Sequence, residues 1–147
     1  MAFTTTLFNH TTRLFMGQLV NLPNLKVMLL DSTAAFDPTN TTLEQVAGVG
    51  NAKEVSGSGW TAGGEPLANV VAATVGSDDG ALNADEVRVR ATAGDIGPAY
   101  ALVIFDDLDA NKAPLIYTDF GGALTAADGV DFLIPLSPFL TGTYTAP

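Results

Sequence analysis

One short polar segment holds the acidic residues that first suggest chemistry in this sequence. Asp107, Asp109 and Asn111 have the spacing of the first, third and fifth ligands of an EF-hand calcium loop. The pattern then fails, since Lys112 replaces the required glycine, Thr118 stands where the bidentate glutamate belongs, and strand-like runs flank the segment. We therefore expect solvated turn carboxylates and no metal site.

Asp119 is the acidic residue that is hardest to assign to a turn, because it lies within an otherwise apolar run. Paired across a cleft with Asp106 or Asp107, it would have the residue types used in glycoside hydrolysis. A carboxylate within a strand more commonly bonds a neighbouring backbone group or an arginine such as Arg88. His10 is the only histidine, and no Ser-His-Asp arrangement is evident. We predict a non-enzymatic protein with no catalytic residues and no cofactor.

A glycine-rich segment, residues 54–67, surrounds the single tryptophan, Trp60. Such a segment could bind phosphate, but the pattern G-x-x-x-x-G-K-[ST] is absent, and no helix is predicted to follow. The glycines instead indicate turns or bulges. We expect Trp60 to anchor the core or an interface.

The composition limits the possible partners. Charged residues make up 15% of the chain and hydrophobic residues 47%, whereas roughly 25% charged residues is typical of soluble domains. A surface so poor in charge favours assembly with other subunits. The net charge of −10 and the six scattered basic residues argue against binding to nucleic acid or to an anionic membrane. The absence of cysteine excludes disulfides and cysteine-ligated metals.

The elements that must position these residues are mostly strands. Two apolar runs, Ala99–Phe105 and Leu115–Phe120, predict a β-hairpin around which the other segments pack. A loop is expected over Gly121–Gly129. Further strands are predicted at Leu25–Leu30, Leu67–Val75, Glu86–Thr92, Asp131–Leu136 and Phe139–Thr145. Their spacing predicts a single, mainly β domain over residues 1–147, an antiparallel sandwich or barrel whose β-rich body spans residues 25–147.

The N-terminal segment is the best helix candidate. Apolar residues within Thr4–Leu19 fall near helical spacing and make one stripe, which predicts a helix. That helix would either pack on its own core or dock as an arm on a neighbouring subunit. For Thr42–Val46, a helical turn and a short strand are both compatible with the pattern.

Several stretches resemble a family of small structural proteins of tailed bacteriophages. The most specific is EVSGSGWTAGGEPL at residues 54–67, which is similar to the family pattern E-V/A-S-G-x-G-Y/W-T-A-G-G-x-x-L. PAYALVIFDD and PLIYTDFGG resemble two further motifs, and DGVDFLIPL resembles the terminal strand. The resemblance extends over nearly the whole chain. It departs from the family before Tyr100, where Pro98-Ala99 stands in place of the usual arginine.

The resemblance implies a non-enzymatic virion component, most plainly a capsid decoration or cement protein on the capsid surface. Its partners would be the major capsid protein and copies of itself. The alternative is a head–tail, tail or fibre component, including a receptor- or glycan-binding domain. Because interfaces are rich in aromatic residues and poor in charge, the interface candidates are Phe3, Phe8, Phe15, Trp60, Phe139 and Tyr144. Each of these side chains could equally belong to the core.

Overall fold

The computed structural model describes residues 4–75, 79–137 and 140–143. The fold is mainly β, with antiparallel sheets and short helices, and is consistent with a β-sandwich-like domain as the sequence predicts. In chain order the elements are β1 Thr4–Leu7, α1 Thr11–Met16, β2 Leu25–Leu30, α2 Leu43–Ala47, β3 Glu54–Val55, β4 Glu65–Pro66, β5 Val71–Val75, β6 Asp79–Asn83, β7 Val87–Arg90, β8 Ile96–Asp106, β9 Pro114–Ala126, β10 Asp131–Ile134 and β11 Leu140–Thr143.

The main sheet is built around the long β8–β9 hairpin. Its strand order is β1-β9-β8-β2, and the short strands β3 and β4 both pair with the outer edge of β2. All of these pairs are antiparallel, with Leu102 opposite Thr118 in the hairpin. The predicted hairpin is therefore the centre of the sheet, and β2 has the bounds that the sequence predicts.

Both faces of the main sheet are covered, which explains the continuous apolar runs in β2 and β8. On one face, the paired strands β7 and β10 contribute Val87, Phe132 and Ile134 to a cluster with Leu102 and Ile104 of the main sheet. On the opposite face, α2 and the loop before it cover a second cluster. A separate three-stranded sheet has the order β11-β6-β5.

The N-terminal segment differs from the predicted helix over Thr4–Leu19. Residues Thr4–Leu7 form an edge strand paired with β9, and only Thr11–Met16 is α-helical. The β-branched threonines favour an extended backbone, and the Thr5 and Thr118 hydroxyls are 2.9 Å apart across the strand pair. Within the described residues, this segment packs on the sheet of its own chain, since the buried Thr11 hydroxyl donates to the Leu115 carbonyl.

In two other segments the structure corrects an expectation from the sequence or shows which of two alternatives is present. The loop expected over Gly121–Gly129 is wrong in its first part, because β9 continues to Ala126 and pairs there with Ile96 of β8. The segment after Thr42 is helical. Thr42 and Gln45 form a capping box that starts α2 by satisfying the backbone N–H groups of its first turn.

Candidate functional site

The turn between β8 and β9 holds the acidic residues that suggested chemistry, and Asp106 is the most buried of them. Its side chain is 2% exposed. One carboxylate oxygen accepts hydrogen bonds from the backbone N–H and the side-chain amide of Asn21, both at 2.9 Å, and the other accepts from the Leu108 N–H at 3.1 Å. Asp106 therefore ties the turn to the segment that precedes β2.

Asp107 lies between two lysines. Lys26 Nζ is 3.0 Å from one carboxylate oxygen, and Lys112 Nζ binds the other. The hydrogen bond from Lys112, reinforced by Lys26 and opposed by partial burial, lowers the pKa of the Asp107 carboxyl below its ordinary value. Asp109 instead accepts from the backbone N–H groups of Asn111 and Ala113. These carboxylates act as turn residues, as predicted.

The structure does not assemble a metal site from these residues. Within the described ranges, no group of three or more histidine, cysteine, aspartate or glutamate side chains lies close enough to hold a metal ion. A separate group of charged side chains surrounds Asp131. The Asp131 carboxylate forms an ion pair with Arg88 at 2.8 Å, and Arg88 forms another with Glu86 at 2.9 Å. Hydrogen bonds from Arg88 to Asp131 and Glu86 raise the pKa of the arginine.

The two carboxylates that would make a glycosidase pair are far apart in the sheet. Asp119 lies opposite Ala101, five residues along β8 from Asp106, which corresponds to roughly 17 Å of strand. Catalytic pairs in glycosidases are separated by about 5–9.5 Å. Asp119 is exposed and accepts a hydrogen bond from the Gly121 N–H at 2.8 Å, and the arginine expected beside it, Arg88, binds other carboxylates.

The glycine-rich segment forms a compact loop between β3 and β4. Glu54 accepts a hydrogen bond from the Gly63 N–H and Glu65 accepts one from the Thr61 N–H, each at 2.6 Å. Gly57 and Trp60 bond each other through both backbone groups. The two glutamates that flank the loop, one in β3 and one in β4, therefore hold it, and their carboxylates bind backbone N–H groups of the chain itself.

Close contact with other backbone requires glycine at two positions of this loop, Gly59 and Gly64, since a Cβ on Gly64 would lie 2.8 Å from the Val27 carbonyl oxygen. A Cβ on Gly59, whose φ is +106°, would lie 2.6 Å from the Arg90 carbonyl oxygen. The Thr92 N–H also donates to the Ser58 carbonyl at 2.9 Å. The loop is thus packed directly against the end of β7.

Trp60 fixes the loop to the core. It is 2% exposed and makes an edge-on contact with Phe132 of β10, with the ring centroids 5.6 Å apart. Its Nε1 is buried and has no hydrogen-bond partner among the described residues. The position agrees with the core alternative for Trp60 and leaves its ring unable to contact a partner on the surface.

The other aromatic interface candidates have different positions. Phe8 is 1% exposed and packs on Phe36 at a centroid distance of 5.1 Å, so it belongs to the interior. Phe15 is half-buried against the cluster beneath β7 and β10. Phe3, Phe139 and Tyr144 lie outside the described residues. For Phe8 and Trp60 the structure shows the core position, which the sequence left open beside the interface, because both side chains are buried.

Three exposed aliphatic side chains, which the sequence pattern does not predict, belong to the β8–β9 turn or to segments that bond to it or border it. The three most exposed large apolar residues of the described chain are Val49 at 78%, Leu108 at 64% and Leu19 at 61%. Leu108 lies in the turn itself. Leu19 lies two residues before Asn21, which donates hydrogen bonds to Asp106. Val49 is followed by Gly50 and Asn51, which line a depression together with Ala110–Lys112. We call these three residues the turn-end surface. In the sequence, the feature that indicates this exposure is a leucine, Leu108, within the polar segment DDLDAN.

No known protein family, characterised protein or solved structure matches this chain significantly. Among the described residues, no helix has both the length and the apolar character needed to cross a membrane.

Proposed function

We propose that this protein is a structural component of a bacteriophage virion, most specifically a capsid decoration protein that bridges major capsid subunits. The resemblance of residues 54–67 and of the β8–β9 hairpin to a family of virion proteins supports this role. The structure adds that these motifs form the scaffold of the fold. Glu54, Glu65 and Asp106 bind the chain's own backbone, which suits a protein whose function is contact.

The turn-end surface is the observation that carries the proposal. Exposed apolar groups gathered at one place mark contact sites on soluble proteins, and interface centres are poor in charge. Leu19, Val49 and Leu108 are the three most exposed large apolar side chains of the described residues, and each belongs to the β8–β9 turn or to a segment that bonds to it or borders it. Burying them against capsid subunits would add contacts that must be broken before the shell can rupture or expand, and this stabilises the assembled shell.

The alternative virion positions differ in what they require. A glycan-binding fibre domain would need an exposed aromatic platform, and the burial of Trp60 removes the residue that suggested one. A head–tail position requires contact with other proteins and would use the same turn-end surface. Copy number in the particle distinguishes it from a shell-wide position.

The test is co-sedimentation of the purified protein with capsids that lack it. Leu108→Asp places a charge in the centre of the proposed contact, and we expect it to weaken binding at least about tenfold. Val71→Asp is the matched control, because Val71 is also exposed, at 53%, but lies on β5 of the separate sheet. Melting curves verify that both variants are folded. Equal binding by the two variants would contradict the turn-end surface as the contact site.

A further inference from the structure

A cavity of about 140 Å³ lies between the main sheet and β10, on the face opposite α2. Its walls are the inward side chains of β8 and β9, including Leu102, Ile116 and Phe120, and those of β10 and the residues after it, including Phe132 and Ile134. Each of these five residues is at most 6% exposed. The cavity therefore extends into the interlayer core.

The lining of the cavity is apolar, and no charged residue contributes to it. Its polar side chains are Thr5 and Thr118, whose hydroxyls are 2.9 Å apart and bond each other. A water molecule is stably held only where it finds about two to four polar partners. The side chains that line the cavity offer a single hydroxyl pair, and this favours apolar contents over water.

Size and lining together define the ligand. An engineered cavity of roughly 150 Å³ lined by Leu, Ile and Phe stays dry and binds benzene, and this cavity has nearly the same volume and the same residue types. We propose that it is a binding site for a small apolar molecule the size of one aromatic ring. This inference goes beyond the proposed virion role and does not depend on it.

The hydroxyl pair refines the class of ligand. Each threonine hydroxyl carries one hydrogen, and the bond between Thr5 and Thr118 uses only one of the two. The second hydrogen is available to one acceptor atom or to the face of a ring. The preferred ligand is thus a single ring with at most one polar atom. Leu133, which is 45% exposed, and the exposed Pro135 border the cavity and mark its opening to solvent.

The test is titration of the full-length protein with benzene, followed by the methyl resonances of leucine, isoleucine and valine. We expect saturable shifts at Leu102, Ile104 and Ile116, no shifts at Leu43 and Val103 on the opposite face of the sheet, and a Tm raised by ~3–5 °C at tenfold excess over Kd. Uniform, unsaturable shifts on both faces, or none, would overturn the proposal.

A pair of matched substitutions adds a second readout. Leu124→Phe enlarges a half-buried side chain that lines the cavity, whereas Leu22→Phe makes the same change in a half-buried residue of the same cluster that does not line it. Benzene should raise the Tm of Leu22→Phe and leave that of Leu124→Phe unchanged. Equal rises in the two variants would place the ligand elsewhere. If Leu124→Phe does not fold, the methyl shifts of the wild-type protein decide the question.

Discussion

The aspartates of the β8–β9 turn have separate structural roles, although they are adjacent in sequence. Asp106 is buried and accepts three hydrogen bonds, while Asp107 is partly exposed and lies between two lysines. A buried acceptor is costly to lose, because its donors are left without partners. An exposed ion pair contributes much less, because water screens it. The two residues should therefore respond differently to the same substitution.

Asp106→Asn is expected to lower the free energy of unfolding by ~2–3 kcal/mol. The asparagine side chain keeps one acceptor oxygen, but an NH2 group replaces the second oxygen. This NH2 group then faces the N–H donors of Asn21 or of Leu108, which lose their acceptor. Urea denaturation of the variant measures the loss. Asp128→Asn, at an exposed position, is the control and should change stability by less than about 0.5 kcal/mol. Similar values for the two variants would show that the Asp106 hydrogen bonds are not important for stability.

Asp107→Asn should have a small effect that depends on pH. The pKa of Asp107 in the folded protein is below its ordinary value of 3.8, chiefly because of the Lys112 hydrogen bond. The stabilisation is therefore present above about pH 4 and is lost as the pH falls through the lower folded pKa. Urea denaturation should give a difference from wild type of at most about 1 kcal/mol near neutral pH, and this difference should shrink as the pH falls below about 4. A difference that stays constant with pH would contradict the ion-pair assignment.

The loop at residues 54–67 is the element whose sequence is most closely explained by its structure. Its glutamates cap backbone N–H groups, Trp60 fills the core, and Gly59 approaches the backbone of β7. The sequence alone predicted turns around Trp60 but not which strand the loop contacts, because that contact joins residues more than 30 positions apart. The same limit explains the N-terminal error: local periodicity indicated a helix, and pairing of Thr4–Leu7 with β9 outweighed it.

Gly59→Ala is expected to disrupt this loop more than the same substitution at Gly57. Gly57 and Gly59 have similar backbone angles, with φ of +98° and +106°, so an alanine is strained at either position. Only at Gly59 does the added methyl group also meet backbone, at 2.6 Å from the Arg90 oxygen. We expect Gly59→Ala to be less stable than Gly57→Ala by about 1–3 kcal/mol in urea denaturation. Equal stabilities would mean that the loop moves away from β7 without cost.

At the scale of the whole molecule, the sequence predicts the strands better than the surfaces. Runs such as Leu25–Leu30 and Ala99–Phe105 are apolar enough to require burial on both faces, and the structure buries most of their side chains. Sheet order and layer packing depend on contacts between distant segments, which periodicity does not encode. The exposed side chains show the same limit: the aromatic residues Phe8 and Trp60 fill the core, whereas the aliphatic residues Leu19, Val49 and Leu108 are exposed.

The central claim is that this protein is a virion component, and its copy number and position in purified particles test that claim most directly. Quantitative mass spectrometry with cryo-electron microscopy of the virions gives both. We predict hundreds of copies on the shell lattice, with the β8–β9 turn facing the capsid. A few copies at one vertex would place the protein at the neck or tail instead. Absence from the particles would contradict the structural role altogether.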